Sequence, residues 1–598
     1  MLKFFNWIPI GLLLCCNLPM AISQPDTIVI GFGSYEGVQI ASSSNVEPGD
    51  PENTLNQNGF LPNDNAASRF LSQATLGYNL NDIDDVKSMG IEDWIDNQLS
   101  LPKSFNLLDK VIEYRDTARI KTNDPNLNSS NRMWDYSFWQ YLMTSDDALR
   151  QRVALALSEI IVISEKSSFG NRGISLSRYY DILLDHSFGN YRDLLQDVTY
   201  NPSMGVYLTY MNNPKTDTTI NRFPDENYAR EVMQLFTIGT SLLNNDGTEI
   251  LDSLGSPIAT YDNDDISEFS KVFTGLTLAD RTQFGKGAHD DTSYIANMVM
   301  WESFHEPGVK NLLNGFQIPD RNPIDGDADI SDALDNLFNH PNTPPFVCKL
   351  LIQRLVTANP EPDYVNRVAN VFIDNGAGVR GDLAAVTKAI LMDPIAQSCD
   401  SGKELDFGSL REPFIRYVQI NKAFNASTLS GNYRNEMRYI YDYTDQRPLS
   451  SPSVFNFFQQ DYQPIGPIED ADKFAPVFQI TDAQTIAGYI NGLYRWLISG
   501  DIADEYDIYS GEPNSDYENE ISQIDLLTEM DLTDHDELHV LMDRLNLLLA
   551  QGRVSEESIN IIIDALKEFP NSDAEDKEDL VRLAIYLFMT SPEYLINR

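Results

Sequence analysis

Basic residues are scarce in this sequence of 598 residues. It holds 43 Lys and Arg against 89 Asp and Glu, which gives a net charge of −46 at pH 7. Nucleic acids and anionic lipid surfaces carry charge of the same sign, so a chain of this kind is repelled by both. We therefore expect no nucleic-acid partner.

Cysteine is also rare, with four residues in the whole sequence. Because none of them forms a CxxC or CxxCH pattern, there is no c-type haem motif and no zinc knuckle of the CxxC type. Cys348 and Cys399 lie beyond the N-terminal stretch. They could pair in an oxidising compartment or stay as buried free thiols, and their spacing leaves both alternatives open.

The standard catalytic signatures are missing as well. The sequence has no G-x-S-x-G elbow, no H-E-x-x-H, and no nucleotide-binding motif of the P-loop or Rossmann type. Serine hydrolases with that elbow, zincins, and P-loop or Rossmann enzymes are thereby excluded. The sequence names no cofactor, and any metal is unknown.

Long apolar runs are confined to the N-terminus. Lys3 precedes a largely apolar stretch at residues 4–16, and the small residues Ala21 and Ser23 stand just before Gln24. This pattern predicts a signal peptide over residues 1–23. No later window reaches about 18 uninterrupted apolar residues, so we expect no transmembrane anchor in the mature chain. We expect an exported protein that is periplasmic, bound at the cell surface or secreted.

The remaining sequence predicts a mainly α fold. Apolar residues recur at helical spacing in most segments after residue 64, and 42% of the residues are hydrophobic, enough for a large core. We expect one large multi-helix globular domain with long loops, in which the β-structure is a minor hairpin at residues 244–260 or a short N-terminal strand at residues 27–30. The predicted parts are an N-terminal arm over 24–63, a helical core over 64–400 that carries the site, and a C-terminal helical part over 401–598 packed on it.

Residues 224–239 hold the most informative pattern. In a helix, Glu226, Asn227, Arg230 and Glu231 fall on one side, and the opposite side is apolar. Two i,i+4 pairs bring a carboxylate, an amide and a guanidinium together, which suits acid–base chemistry or the binding of an anion. The alternative is an ordinary solvent-exposed face with two weak pairs.

Residues 301–310 form the second candidate. His305 and Glu306 stand just before a Pro-Gly turn, which predicts that a loop presents them. A histidine beside a carboxylate can act as a base or bind a metal, but two ligands are too few for a metal site. A histidine that only stabilises the turn is the alternative. His535 and His539 have a spacing compatible with metal binding and likewise lack an evident third ligand.

Several segments together resemble the bacterial domain-of-unknown-function 1800 family, in matching order from about residue 64 to the C-terminus. The segments are residues 69–77 (RFLSQATLG), 226–231 (ENYARE), 273–276 (FTGL), 305–310 (HEPGVK), 340–343 (HPNT), 354–356 (RLV), 380–383 (RGDL), 411–413 (REP) and 453–456 (SVFN). Members typically have His-Asp where this chain has His305-Glu306. The resemblance implies an exported, mainly helical protein, but it implies no particular activity. The polar residues of these motifs, including Lys310, are therefore candidate site residues.

Two hypotheses of different classes follow. The first is a hydrolase-like or metal-assisted enzyme acting on an extracellular substrate, in which Glu226 or Glu231 is the general base, His305 an acid–base group or ligand, and Arg230 a clamp for an anionic group. Asn227 and Lys310 would then bind substrate. The second is a non-catalytic binding or scaffold protein of the cell envelope, in which these residues form a buried structural network with an envelope protein as partner.

Overall fold

The computed structural model of the chain describes residues 63–167, 172–287, 290–398, 407–435, 437–499, 517–520 and 522–597. The predicted signal peptide, the strand at residues 27–30, the arm before Asn63 and Cys399 lie outside these ranges. Within them the fold is mainly α, as the sequence predicts. No described helix has both the length and the apolar character that crossing a membrane requires.

The first half of the described chain is a succession of helices, with long connections before and after the helix Asn227–Gln234. These helices are α1 (Asp64–Ala74), α2 (Leu80–Met89), α3 (Ile91–Ser100), α4 (Leu107–Thr122), α5 (Asn131–Thr144), α6 (Ala148–Ile160), α7 (Gly173–His186), α8 (Tyr191–Tyr200), α9 (Pro202–Tyr207), α10 (Asn227–Gln234) and α11 (Asn263–Val272). Side chains cap several of them. Asp262 and Asp265 form a capping box at the start of α11, which satisfies backbone N–H groups that have no partner inside the helix.

The second half continues in the same way. Its helices are α12 (Gly326–Phe338), α13 (Thr343–Leu355), α14 (Pro362–Ile373), α15 (Leu383–Met392), α16 (Pro394–Gln397), α17 (Pro413–Ala423), α18 (Arg438–Thr444), α19 (Pro467–Asp470), α20 (Ala483–Tyr494), α21 (Tyr517–Glu520), α22 (Leu527–Met530), α23 (Leu538–Ala550), α24 (Glu556–Leu566), α25 (Ala574–Met589) and α26 (Pro592–Leu595). Four 3-10 turns and one π turn complete the described helical structure: Asp291–Tyr294, Glu302–Phe304, Leu313–Gly315, Pro476–Ile480 and Arg495–Ser499.

The β-structure of the described residues is limited to three short antiparallel pairs and some isolated bridges. Strand β1 (Leu276–Thr277) pairs with β2 (Val299–Met300), β3 (Lys310–Asn311) with β4 (Gln317–Ile318), and β5 (Ser409–Leu410) with β6 (Ile596–Asn597). The polar insert predicted at residues 244–260 forms tight turns held by single bridges, such as Leu243 to Glu249 and Leu251 to Pro257.

Helix α6 brings charge into the core. It packs against α7 and α13 and is buried from Leu149 to its end, including Arg150, Arg152 and Glu159. Charged residues are almost never fully buried unless they are paired. The helix therefore depends on partners for these groups.

One hydrophobic core runs from Ala67 in α1 to Tyr594 in α26. Helix α1 packs against α23, and the pairing of β5 with β6 places the end of the chain beside the residues that precede α17. Gly77 allows α17 to approach closely, because a Cβ at this position would lie 2.8 Å from the Cα of Gln419. The C-terminal helices thus pack directly against the N-terminal ones.

Candidate functional site

The helix predicted at residues 224–239 is shorter in the structure. Helix α10 covers Asn227–Gln234, and Glu226 is its N-cap residue. After Gln234 the chain turns, and the N–H groups of Ile238 and Gly239 both donate to the carbonyl of Met233. Gly239 has φ of 68°, a conformation that glycine adopts at helix ends without steric cost.

Of the polar side chains at α10, those of Glu226 and Arg230 are exposed and Asn227 is half-buried. Arg230 Nη2 lies 3.7 Å from Glu226 Oε2, and the two side chains are 42% and 47% exposed. Asn227 is also at the surface, where its side-chain amide donates to the Thr209 hydroxyl over 3.4 Å. Pairs of this kind contribute little to stability, because water competes for both partners.

Glu231 differs from these three, because it is 6% exposed. Its Oε2 is buried and has no hydrogen-bond partner among the described residues. Burial raises the pKa of this carboxyl group, and the nearby Arg230 offsets part of the rise. On α10, Glu231 is therefore the residue best suited to hold or release a proton.

His305 lies in the interior, with 0% exposure. It follows the 3-10 turn Glu302–Phe304. Its Nδ1 lies 2.9 Å from the carbonyl oxygen of Thr274, and its Nε2 lies 3.0 Å from Asp329 Oδ2. Because both ring nitrogens face oxygen acceptors, the ring is placed to donate on both sides.

Lys310 joins the same network from strand β3. Its Nζ donates to Asp329 Oδ2 over 2.6 Å and to the carbonyl of Glu306 over 2.7 Å. Arg321 pairs with the other carboxylate oxygen of Asp329. Burial acts to raise the pKa of Asp329, but hydrogen bonds from His305 and Lys310 outweigh it, so the pKa is lowered overall. A buried carboxylate thus binds three basic side chains.

Glu306 anchors the loop on its other side, where its carboxylate accepts a 2.6 Å hydrogen bond from the backbone N–H of Thr216. The Glu306 side chain therefore has a structural partner.

The two predicted groups are separate in their contacts. No hydrogen bond or ion pair within the described ranges joins Glu226, Asn227, Arg230 or Glu231 to His305 or Lys310. Residues 213–215 contact the neighbours of both groups. The side chain of Asn213 accepts a hydrogen bond from the backbone N–H of Asp225, and the backbone N–H of Lys215 donates to the carbonyl of Phe304. Each group thus has its own surroundings.

A third group gathers around a cleft between α1, α13 and α17. Its basic residues are Arg152, Arg354 and Arg411, which are 4%, 7% and 5% exposed. Arg152 donates to the carbonyls of Gln73 and Arg354, and Arg411 to Gln419 and the carbonyl of Leu549. Nη1 of Arg152 and Nη2 of Arg411 are buried and lack a hydrogen-bond partner in the described part of the chain.

Two carboxyl groups face these arginines. Glu159 pairs with Arg354 at 2.7 Å, and its carboxyl group is also within hydrogen-bonding reach of Glu412. Burial, followed by the proximity of Glu412, raises the pKa of Glu159 well above its usual value. Glu412 therefore lies where it disfavours the ionisation of Glu159.

The cleft is narrow and opens to solvent, with a cavity volume of about 40 Å³. Its lining combines apolar side chains, such as Leu355, Ile415 and Phe458, with the amides of Gln353 and Gln419. The guanidinium of Arg354 lies 4.7 Å from the centre of the Phe458 ring, an arrangement that holds the cation in place.

Sequence reasoning missed this cleft, although several of its residues belong to the motifs that carried the family resemblance. Residues 69–77 end at the cleft, and Arg354, Arg411 and Glu412 belong to two further motifs. A second signal was the charge that Arg150, Arg152 and Glu159 bring into the apolar pattern of α6. Neither signal showed which residues meet in space.

The described residues contain no group of three or more His, Cys, Asp or Glu side chains placed to hold a metal ion. His535 lies in the turn before α23 and His539 within that helix, and both are exposed. Residues 376–381 match the letters G-x-G-x-x-G, but they connect α14 to α15, whereas the dinucleotide fingerprint follows a strand. Cys348 is a buried free thiol.

Comparison with known proteins identifies one matching family. A family model described as a protein of unknown function (DUF1800) matches residues 69–596, nearly the whole chain. No curated protein and no solved structure matches this chain.

Proposed function

The chain belongs to this family of proteins of unknown function, and we propose that it is an exported, non-catalytic binding protein of the cell envelope. The observation that carries this proposal is the buried network around Asp329. His305 and Lys310 both donate to its carboxylate, and His305 is fully enclosed. A catalytic base must reach the proton that it abstracts, and an enclosed, fully bonded imidazole does not.

Diethyl pyrocarbonate modification followed by peptide mapping tests this role of His305. We expect His535 and His539 to react quickly in the native protein, because both are exposed. His305 should react at a comparable rate only after unfolding. Modification of His305 in the native protein at the rate of His535 would contradict the structural role.

Export is tested separately by cell fractionation. We expect the full sequence to deliver the protein outside the cytoplasm in a bacterial host and a variant lacking residues 2–23 to stay inside. Equal amounts of both forms in the cytoplasm would contradict the proposal of a signal peptide.

Glu231 favours a second candidate function. A buried carboxyl group with a raised pKa and an unpaired oxygen, beside the guanidinium of Arg230, is a combination that hydrolases use for acid–base chemistry. A panel of chromogenic ester and phosphoester substrates tests this candidate. An enzyme of this kind should lose its activity in Glu231→Gln and retain it in Cys348→Ser, which changes a buried group on α13. Activity that is the same in Glu231→Gln and the wild type would exclude this candidate.

A further inference from the structure

We propose that the cleft formed by Arg152, Arg354 and Arg411 binds the carboxylate of a small organic acid with an apolar body. This inference rests on the proposed binding function and names its ligand class. Three observations support it: the balance of charge, the unpaired donors and the chemistry of the walls.

The first observation is an excess of positive charge in a strongly acidic protein. Three guanidinium groups meet two carboxyl groups, those of Glu159 and Glu412, which lie close enough to share a hydrogen bond. The local charge is therefore positive even if both carboxyl groups are ionised. A positive cleft in a chain of net charge −46 is a local feature, because the composition alone would predict the opposite sign.

The second observation is that two of the guanidinium groups have unused donors. Arg152 Nη1 and Arg411 Nη2 are buried without a hydrogen-bond partner in the described ranges, although both residues line the cleft. An unsatisfied donor on a buried cation is costly, and buried polar groups in proteins are nearly always bonded. A carboxylate accepts up to four hydrogen bonds and fits the forked geometry of arginine.

The third observation concerns the rest of the lining. Leu76, Leu355, Ile415, Phe458 and Val477 supply apolar and aromatic surface. Ligand sites typically combine such walls with a few polar groups that fix orientation. The occupant that matches both parts has one anionic end and an apolar body.

The carboxyl pair argues for a monoanion. Glu159 and Glu412 lie beside the same arginines and would repel a dianionic phosphate more strongly than a carboxylate of single charge. Benzoate and hexanoate are therefore suitable probes. Benzamide and hexanamide have nearly the same shape without the charge, and inorganic phosphate has the charge without the apolar body.

Isothermal titration calorimetry on the purified protein at pH 7 tests the inference. We expect benzoate or hexanoate to bind, and the matching amide to bind at least about tenfold more weakly, because it lacks the charge that the guanidinium groups recognise. Equal binding of the acid and its amide would overturn the inference. Binding of phosphate without binding of either carboxylate would also overturn the inference. If that phosphate binding depended on the arginines, the proposed binding function would still stand.

Two variants locate the site. Arg411→Gln removes a guanidinium and should weaken carboxylate binding at least about tenfold. Because Arg411 is buried, a second variant, Ile415→Glu, leaves the arginines intact and adds a fixed carboxylate to the half-buried wall of the cleft. This added charge should also abolish binding. Ile561→Glu is the matched control, since Ile561 is 64% exposed on α24 and does not line the cleft.

The two failures remain distinguishable. Unchanged affinity in a folded Ile415→Glu protein would show that carboxylates bind elsewhere and would overturn the cleft assignment. The absence of heat with every probe would overturn the ligand class. The proposed non-catalytic function would fall instead if native His305 reacted with diethyl pyrocarbonate like the exposed histidines.

Discussion

Replacing Asp329 by asparagine is the sharpest test of the network that holds the His305 loop. The side chain of Asp329 is 5% exposed and accepts hydrogen bonds from His305 at 3.0 Å and Lys310 at 2.6 Å. An asparagine keeps one oxygen, which can still face Arg321. Its amide NH2 group would then face the donors on His305 and Lys310, so both of these hydrogen bonds would be lost.

The magnitude follows from these contacts. Hydrogen bonds to charged groups contribute about 1.5–3 kcal/mol each. Loss of two of them predicts that Asp329→Asn lowers the free energy of unfolding by about 3–5 kcal/mol, the range found when one partner of a buried ion pair is removed. The variant also leaves the buried ammonium group of Lys310 without its counter-charge, which acts in the same direction.

Asp332→Asn is the matched control on the same helix. Asp332 pairs with Arg321 at 2.5 Å but is 33% exposed, so its loss should cost no more than about 1 kcal/mol. Urea denaturation of the two variants and the wild type measures the difference. An equal effect of both substitutions would refute the idea that the Asp329 network is a main support of the loop.

The pH dependence gives a second readout. The folded protein lowers the pKa of Asp329 below its ordinary value of 3.8. A carboxyl group whose folded pKa is depressed contributes stability that is complete above the unfolded pKa, about pH 4, and is lost as the pH falls through the folded pKa. The gap between the wild type and Asp329→Asn should therefore narrow below about pH 4. A gap that is constant from pH 7 to pH 3 would contradict this reasoning.

Three further predictions concern single residues. Arg230→Ala should change the free energy of unfolding by no more than about 0.5 kcal/mol, because its i,i+4 pair with Glu226 is exposed; a loss several times larger in urea denaturation would show that the pair is misjudged. Glu231→Gln should be more stable than the wild type at pH 7, because burial raises the pKa of Glu231 and its ionisation therefore lowers the stability of the wild type as the pH rises past the unfolded pKa. The urea midpoints of the two proteins should converge near pH 4. A wild type that is more stable than the variant at pH 7 would contradict this. Cys348 should resist thiol reagents in the native state and react on unfolding without reductant, because it is fully buried and burial raises its pKa; a need for reductant would indicate a disulfide with Cys399.

The helical character of this chain could be predicted from local periodicity, because amphipathic spacing and capping residues are local properties. Asp262 and Asp265 illustrate this, since these two residues, three apart in the sequence, form the capping box of α11. The length of α10 could not be predicted in the same way. Residues 235–239 continue the apolar pattern, yet α10 ends at Gln234. Beyond it, Thr237 donates its hydroxyl to the carbonyl of Val232, and Gly239 has a positive φ.

The side chains of α10 show a similar limit. Periodicity placed Glu226, Arg230 and Glu231 on one polar face, but burial divides them: the first two are exposed and Glu231 is enclosed. The burial of Glu231 depends on tertiary packing. Helix α10 packs against α11, and burial raises the pKa values of Tyr207 and Tyr261, which lie close enough to Glu231 for its charge to add to the rise. A helical wheel contains no information about which neighbours cover an arc.

The arginine cleft depends on contacts between residues that are far apart in the sequence. Arg152 comes from α6, Arg354 from α13, and Arg411 directly precedes the Glu412-Pro413 start of α17. In the sequence, Arg354 and Arg411 stand out only as members of motifs that resemble the family. A buried arginine requires partners for its charge, either inside the protein or in a bound molecule. For Arg354 the partner is Glu159, whereas Arg152 and Arg411 each keep one buried nitrogen unbonded among the described residues, and a bound acid is the partner we propose for them.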